Sequence, residues 1–316
     1  MAIRDVRTPG PDDLARAWEI VRSTVPPTPL APATDTGPAL KLETFQPTGS
    51  FKVRGALSAL AAVGPSDEVV TASAGNHGLG VAFAATRLGR RATVVVPGTA
   101  SPAKVAALRA FDIELVQTGT SYAEAEAHAL ELAARGARFV SPYNDPDVVA
   151  GQATIGYELA EQTRGPLTVV CGVGGGGLAS GLGLWAAERT DVRLVGVEAD
   201  AAPSMAAAVR AGRQVPVEVG PTIADGIAAN LEAGSVTIDL VAKHVDELVA
   251  VSEAELHAAV RYLAGERGVV AEGAGAAAAA AVLSGKVSAE GTVVAVVSGR
   301  NIALDVLARL LTSGAP

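Results

Sequence analysis

TVVCGVGGGGLASG, residues 168–181, decides the fold. The β-branched run Thr168 to Val170 leads through four consecutive glycines, Gly174 to Gly177, into a helix-forming stretch from Leu178. Strand, glycine turn and helix form the unit of a doubly wound α/β sheet, whose ligands sit outside the carboxyl ends of the strands. The glycines remove every Cβ from the turn and leave a row of N–H donors suited to a phosphate. The same segment matches G-x-G-x-x-G through Gly172, Gly174 and Gly177, and the acidic Glu198 ends the next strand about 20 residues on, as a dinucleotide site requires. The turn alone therefore leaves two readings open, a phosphate cradle for another cofactor and a nicotinamide-dependent oxidoreductase.

Outward from this turn, β-branched runs and alanine-rich helical stretches alternate. Downstream come RLVGVEA (193–199), a helix near Met205, ELVAVS (247–252), a helix from Glu253 and TVVAVVS (292–298). Upstream, a helix from Gly151 to Arg164 follows the turn-rich SPYNDPD (141–147). Before that lie VVTAS (69–73), a helix from Gly78, RATVVV (91–96), a helix from Ser101, IELVQ (113–117), a helix from Ser121 and ARFVSP (137–142). Such alternation predicts right-handed βαβ units and two doubly wound α/β lobes. The run Ala276 to Ala281 reads as a tightly packed helix.

The 316 residues suffice for two domains with separate cores. With 49% apolar and 18% charged residues the chain is not of the disordered class. A formal net charge of −8, and no basic stretch interleaved with aromatics, argues against nucleic acid or an anionic membrane as partner. Cys171 stands alone, which excludes an intramolecular disulfide and fits a reducing cytoplasm. The amphipathic pattern from Pro11 to Val21 contains no signal-peptide core. The apolar stretch Ala271 to Leu283 falls short of the roughly 20 strongly apolar residues of a membrane span. A soluble, folded protein is expected.

Three further segments carry chemistry. KLETFQPTGSFKVRGA (41–56) places Ser50 as a helix N-cap and Lys52 in the first helical turn. There the helix dipole and the apolar Phe51 and Val53 favour a neutral amine, which a Schiff base needs, although position alone favours a solvated surface lysine, since most lysines are exposed. SAGNHGLG (73–80) lies between a strand and a helix, where backbone N–H groups can hold a carboxylate. Asn76 suits a phenolic oxygen or is an ordinary turn asparagine, and a histidine beside a turn, as His77 is, is more often structural than catalytic. In VVAVVSGRNIALDVL (293–307), Ser298 ends a buried strand and either meets a ring nitrogen or caps the next helix.

In the order SFKVRGA, SAGNHG, glycine turn and VVSGRN, with further matches at DPDVVAGQATI (145–155) and PTIADGI (221–227), the chain resembles the serine/threonine dehydratase and serine racemase family of fold type II pyridoxal-phosphate (PLP) enzymes. The resemblance implies the tryptophan synthase β-like fold, with the cofactor in an interdomain cleft between a large domain (1–62 and 146–316) and a small substrate-closing domain (66–142). It implies that Lys52 holds PLP as a Schiff base and acts as the catalytic base, that Phe51 covers one ring face and that Asn76 bonds the ring hydroxyl. Gly174, Gly175, Gly176, Gly177 and Leu178 would hold the phosphate, Ser298 the pyridine nitrogen, and Ser73, Ala74, Gly75, Asn76 and His77 the substrate carboxylate. The implied activity is loss of water from L-threonine or L-serine, with the cofactor phosphate assisting the leaving hydroxyl, to give a 2-oxo acid and ammonia. Tyr143, Thr222 and Ala224 are inferred to line the side-chain pocket. Dehydration of 3-hydroxyaspartate or a bulkier β-hydroxy amino acid is the nearest alternative; an oxidoreductase would leave Lys52 and SAGNHG without a role.

Two departures matter. Ala74 stands where racemase members carry a proton-bearing serine, so lyase chemistry is favoured over racemisation. A cation site implied at Glu198, Ala202 and Ser204 offers one carboxylate, which suits potassium better than Mg²⁺ or Ca²⁺. The resemblance also leads us to expect a homodimer, without the regulatory domain of biosynthetic relatives.

Overall fold

A computed structural model describes residues 4–312 and contains two sheets. Helix α1 (Pro11–Thr24) starts with proline at its first position and Asp12 and Asp13 in its first turn, a favourable pairing with the helix dipole. Strands β1 (Leu30–Ala31) and β2 (Ala39–Leu42) precede α2 (Lys52–Ala61). The smaller sheet is built by β3 (Glu68–Ala72), α3 (Asn76–Leu88), β4 (Arg91–Val96), α4 (Pro102–Arg109), β5 (Glu114–Gln117), α5 (Tyr122–Ala134) and β6 (Arg138–Phe139). The chain continues through α6 (Pro146–Gln162), β7 (Leu167–Gly172), α7 (Gly177–Ala186), β8 (Val192–Ala199) and α8 (Ser204–Ala211). It ends with α9 (Val236–His244), β9 (Glu247–Val251), α10 (Glu253–Gly265), α11 (Gly273–Leu283), β10 (Thr292–Val297) and α12 (Leu304–Thr312).

The larger sheet has the order β1-β2-β10-β7-β8-β9 and the smaller β5-β4-β3-β6; every pairing is parallel except β1 with β2. From β7 the chain steps outward to β8 and β9, and β10 returns on the other side of β7. From β3 it steps to β4 and β5, and β6 returns on the other side of β3. Each reversal opens a crevice at the strands' carboxyl ends. The turns leaving β7 and β10 carry the glycine run and Ser298, and those leaving β3 and β6 carry SAGNHG and Pro142–Tyr143.

Alternation along each strand sends neighbouring side chains to opposite faces. Val69, Val94 and Val96 join one core with Val53, Ala56 and Leu57 of α2, while Val70, Ala72 and Val95 face α5. In the larger sheet Val170, Val195 and Val197 pack beneath α10 and α11; Val169, Cys171 and Leu194 pack on the opposite face with α6 and α7. The alanine run lies in α11, buried throughout Gly273 to Ala281, as its lack of side-chain bulk permits.

The β-branched runs form strands where the sequence places them, and the two-sheet α/β architecture matches the expected class. Short β1 and β2, and α9, were not foreseen. Ser50 does not cap α2: Phe51 occupies the cap position, and the Ser50 hydroxyl is buried without a partner. The cause is a backbone link, since Phe51 N–H donates to Ser298 O at 3.0 Å and Ser50 bridges Gly299, which draws this segment onto the end of β10. The buried face of α2, assigned by sequence to the larger unit, shares the core of the smaller sheet. No helix among the described residues is long and apolar enough to cross a membrane.

Candidate active site

Both crevices open into one cavity of about 730 Å³. Its walls include Phe51, Lys52, Ser73, Gly75, Asn76, His77, Gly174 to Gly177, Leu178 and Ser298, drawn from four separate motifs. Ala74 is absent from the wall and packs against the core of the smaller sheet.

Lys52 begins α2, and its Nζ donates to Pro142 O at 2.8 Å while lying 5.1 Å from the centre of the Phe51 ring. Burial lowers the amine from 10.5 to about 8, against the opposing attraction of Glu272. This is not the solvated lysine that position alone would allow. Around pH 8 a substantial fraction is neutral and nucleophilic.

The SAGNHG loop crosses from β3 to α3. Gly75 N–H donates to Ser73 Oγ at 3.2 Å, and Asn76 and His77 open the helix. His77 Nε2 lies 3.1 Å from Val140 O, which requires a proton on that nitrogen and leaves Nδ1, buried and unpartnered, as an acceptor. Burial, with the nearby Lys52 charge, pushes the ring down to about 3, so it is neutral. Its side chain therefore has no donor to offer a carboxylate; its backbone amide has.

The glycine turn closes the opposite wall. Gly176 adopts φ +86°, and a Cβ on Gly174 would stand 2.8 Å from Ile227 Cα. Ile227 belongs to the PTIADGI segment, which contributes Asp225, Gly226 and Ile227 to the cavity but neither Thr222 nor Ala224. Thr222 Oγ1 instead donates to Glu253 Oε2 at 2.7 Å, which anchors that loop to the start of α10. Tyr143 does line the cavity, and its hydroxyl accepts from Glu232 N–H at 2.8 Å. Ser298 Oγ makes only a long contact, 3.5 Å, to Ala274 O and stays available to a ligand.

Several lining residues escape sequence reasoning. Glu272 is buried at the N-cap of α11 and accepts from Asn76 Nδ2 at 2.6 Å; burial raises its carboxyl to about 7. Its only sequence signal was an acid preceding the glycine-alanine helix. Tyr122, Glu126, Glu232 and Arg4 also line the cavity, with Arg4 Nη2 donating to Glu232 Oε1 at 2.7 Å.

Glu198, which the dinucleotide reading needs, is not in the cavity wall. Its two carboxylate oxygens accept from Met205 N at 2.7 Å and Ala206 N at 2.9 Å, capping α8. The carbonyl of Ala202 accepts from Ser204 N–H at 2.9 Å, and the Ser204 hydroxyl is buried without a partner. No group of three or more His, Cys, Asp or Glu side chains among the described residues could hold a metal.

Residues 21–299 match the family model described as pyridoxal-phosphate dependent enzyme. The chain is 44% identical over 281 residues to an L-threonine ammonia-lyase of Thermotoga maritima, covering 87% of this chain and 70% of that protein. It is similar to the processed form of threonine deaminase isoform 2 from Solanum lycopersicum, with a TM-score of 0.86 and 30% identity over 99% of this chain and 97% of the other. Maize serine racemase superposes with a TM-score of 0.89 and 28% identity, covering 96% and 97% of the two chains.

Proposed function

Because the chain belongs to the family of pyridoxal-phosphate dependent enzymes, we propose that it is an ammonia-lyase converting L-threonine, and L-serine more generally, into a 2-oxo acid and ammonia. One observation carries this reading: a desolvated lysine amine, the SAGNHG loop, a glycine turn and a serine hydroxyl held only by a 3.5 Å contact face one cavity. The likeness to an L-threonine ammonia-lyase supports the choice of substrate.

The residues fit the cofactor. The glycine turn has no room for side chains and leads into the start of α7, where backbone amides and the helix dipole favour an anion. Ser298 Oγ, held only by its 3.5 Å contact to Ala274 O, can turn to a pyridine nitrogen, and Phe51 offers an apolar face beside Lys52. Bound there, PLP supplies the electron sink that makes a Cα proton removable.

The chain's own groups supply the rest. Lys52, once free and neutral, takes the Cα proton at Nζ; Pro142 O then receives the resulting ammonium at hydrogen-bond distance. The amides of Asn76 and His77, in the first turn of α3, orient the substrate carboxylate. Apolar walls from Phe51, Leu178 and Ile227 limit water near the reacting carbon. Alanine at position 74 carries no exchangeable proton, so racemisation is not proposed.

The division into a large domain (1–62, 146–316) and a small closing domain (66–142), a cytoplasmic location and a homodimer belong to the same reading. Lone buried Cys171 and apolar Leu304 and Leu311 exposed on α12 support the last two. A cation at Glu198, Ala202 and Ser204 is proposed as monovalent, because one carboxylate already accepting two amides offers little charge; activity compared in potassium and lithium salts tests it. The decisive experiment records the absorbance of purified protein and 2-oxo acid release from L-threonine, L-serine and L-threo-3-hydroxyaspartate. A band near about 410 nm with release lost in Lys52→Ala supports the assignment; no band after addition of PLP rejects it.

A further inference from the structure

Asn76 is held at both ends of its amide. Its Nδ2 donates to Glu272 Oε1 at 2.6 Å, and its Oδ1 accepts from Asn301 Nδ2 at 2.6 Å. Asn301 Nδ2 also donates to Thr48 O at 2.8 Å, which fixes which way that amide faces. An ionised carboxylate only accepts, so the orientation of Asn76 is determined as well. The three residues come from α3, the N-cap of α11 and the turn after β10. Gly299 makes the arrangement possible: a Cβ there would overlap Glu272 Oε1.

This clamp uses one Nδ2–H of Asn76 and leaves the second for the cavity that Asn76 lines. We propose that Glu272 and Asn301 are positioning residues, which aim the free Asn76 N–H at the phenolic oxygen of the cofactor and tie its protonation state to that of the Glu272 carboxyl. The inference rests on the PLP reading above. Glu272 is buried and lies within the influence of Asp225, Lys52 and Lys104. It is charged above about pH 7, where the hydrogen bond from Asn76 is charge-assisted, and neutral below.

The test titrates PLP into apo wild type, Glu272→Ala, Glu272→Gln and Asn301→Ala from pH 6 to 9, reading dissociation constant and absorbance band positions. Glu272→Ala should weaken PLP binding about tenfold or more, as loss of a hydrogen bond to a charged group implies, and Asn301→Ala about fivefold, as loss of a neutral one implies; both should alter the ratio of the bands. Glu272→Gln keeps an acceptor for Asn76 and should bind within about threefold of wild type, but without the change in spectrum near pH 7. The transition set by Lys52 should persist in all four proteins. Wild-type affinity and spectra in both Glu272→Ala and Asn301→Ala overturn the proposal. Should Glu272→Ala fail to fold, the exposed contact made by Asn301 decides alone. Failure of wild type itself to bind PLP would defeat the functional assignment instead, a distinct result.

Discussion

The ring of Tyr143 occupies the space that a side chain on Gly175 would need. Its hydroxyl is fixed by Glu232 N–H, so the ring cannot swing aside without losing that bond. Gly175→Ala should therefore displace the turn and weaken PLP binding by roughly a hundredfold, while far-UV circular dichroism stays native. Gly265→Ala, at an open position ending α10, serves as control and leaves binding unchanged.

Lys52 should govern cofactor capture as well as turnover. In the apo-protein the amine titrates at about 8, so the rate of capture should rise with pH through that value and then level. Stopped-flow absorbance measures it. Lys52→Ala should lower 2-oxobutyrate release by roughly a thousandfold or more, and Lys52→Arg should not restore it because a guanidinium stays protonated.

Glu272 trades stability for its position. Its carboxyl titrates near 4.5 when unfolded and about 7 when folded, so between these values the native state binds the extra proton. Stability therefore falls as pH rises from 4.5 to 7, by on the order of 3 kcal/mol if the whole shift is expressed. Glu272→Gln should raise the urea midpoint of the apo-protein at pH 8 and have little effect at pH 5. Equal midpoints at pH 8 would refute this.

Two residues past the lysine, Arg54 is fully buried between Glu43 and Glu158, with Nε 2.7 Å from Glu43 Oε2 and Nη1 2.7 Å from Glu158 Oε1. Lys41, also buried, is the remaining cation on Glu158. Arg54→Ala should cost about 3–5 kcal/mol because it strands carboxylates in the interior. Arg54→Lys should recover only part, since an ammonium cannot engage both acids as the planar guanidinium does. Urea unfolding distinguishes the two variants.

The strands and most helices were legible because β-branched runs such as Val94 to Val96 have no helical period and end at turn residues. Two-residue β1 and four-residue β2 are too short to show a period, and Pro26 to Pro32 masks them. Lys52, Asn76 and the glycine turn were legible as motifs, while Glu272 was not, because AEGAGAAAA reads as a packing element and its partners lie far away in sequence. Ser50 looked like a cap for local reasons; a non-local bond from Phe51 to Ser298 overrode them. Glu198 accepts from two amides of α8, a contact that no spacing rule identifies.

Phe51 packs with the core on one face of the larger sheet, and Val53 belongs to the core of the smaller one. Lys52 thus stands on the seam between two separately built interiors, while the glycine turn is rooted wholly in the larger. A molecule bonded to the lysine and gripped by the turn would add a rivet across that seam, beside the Arg54–Glu158 ion pair that already crosses it.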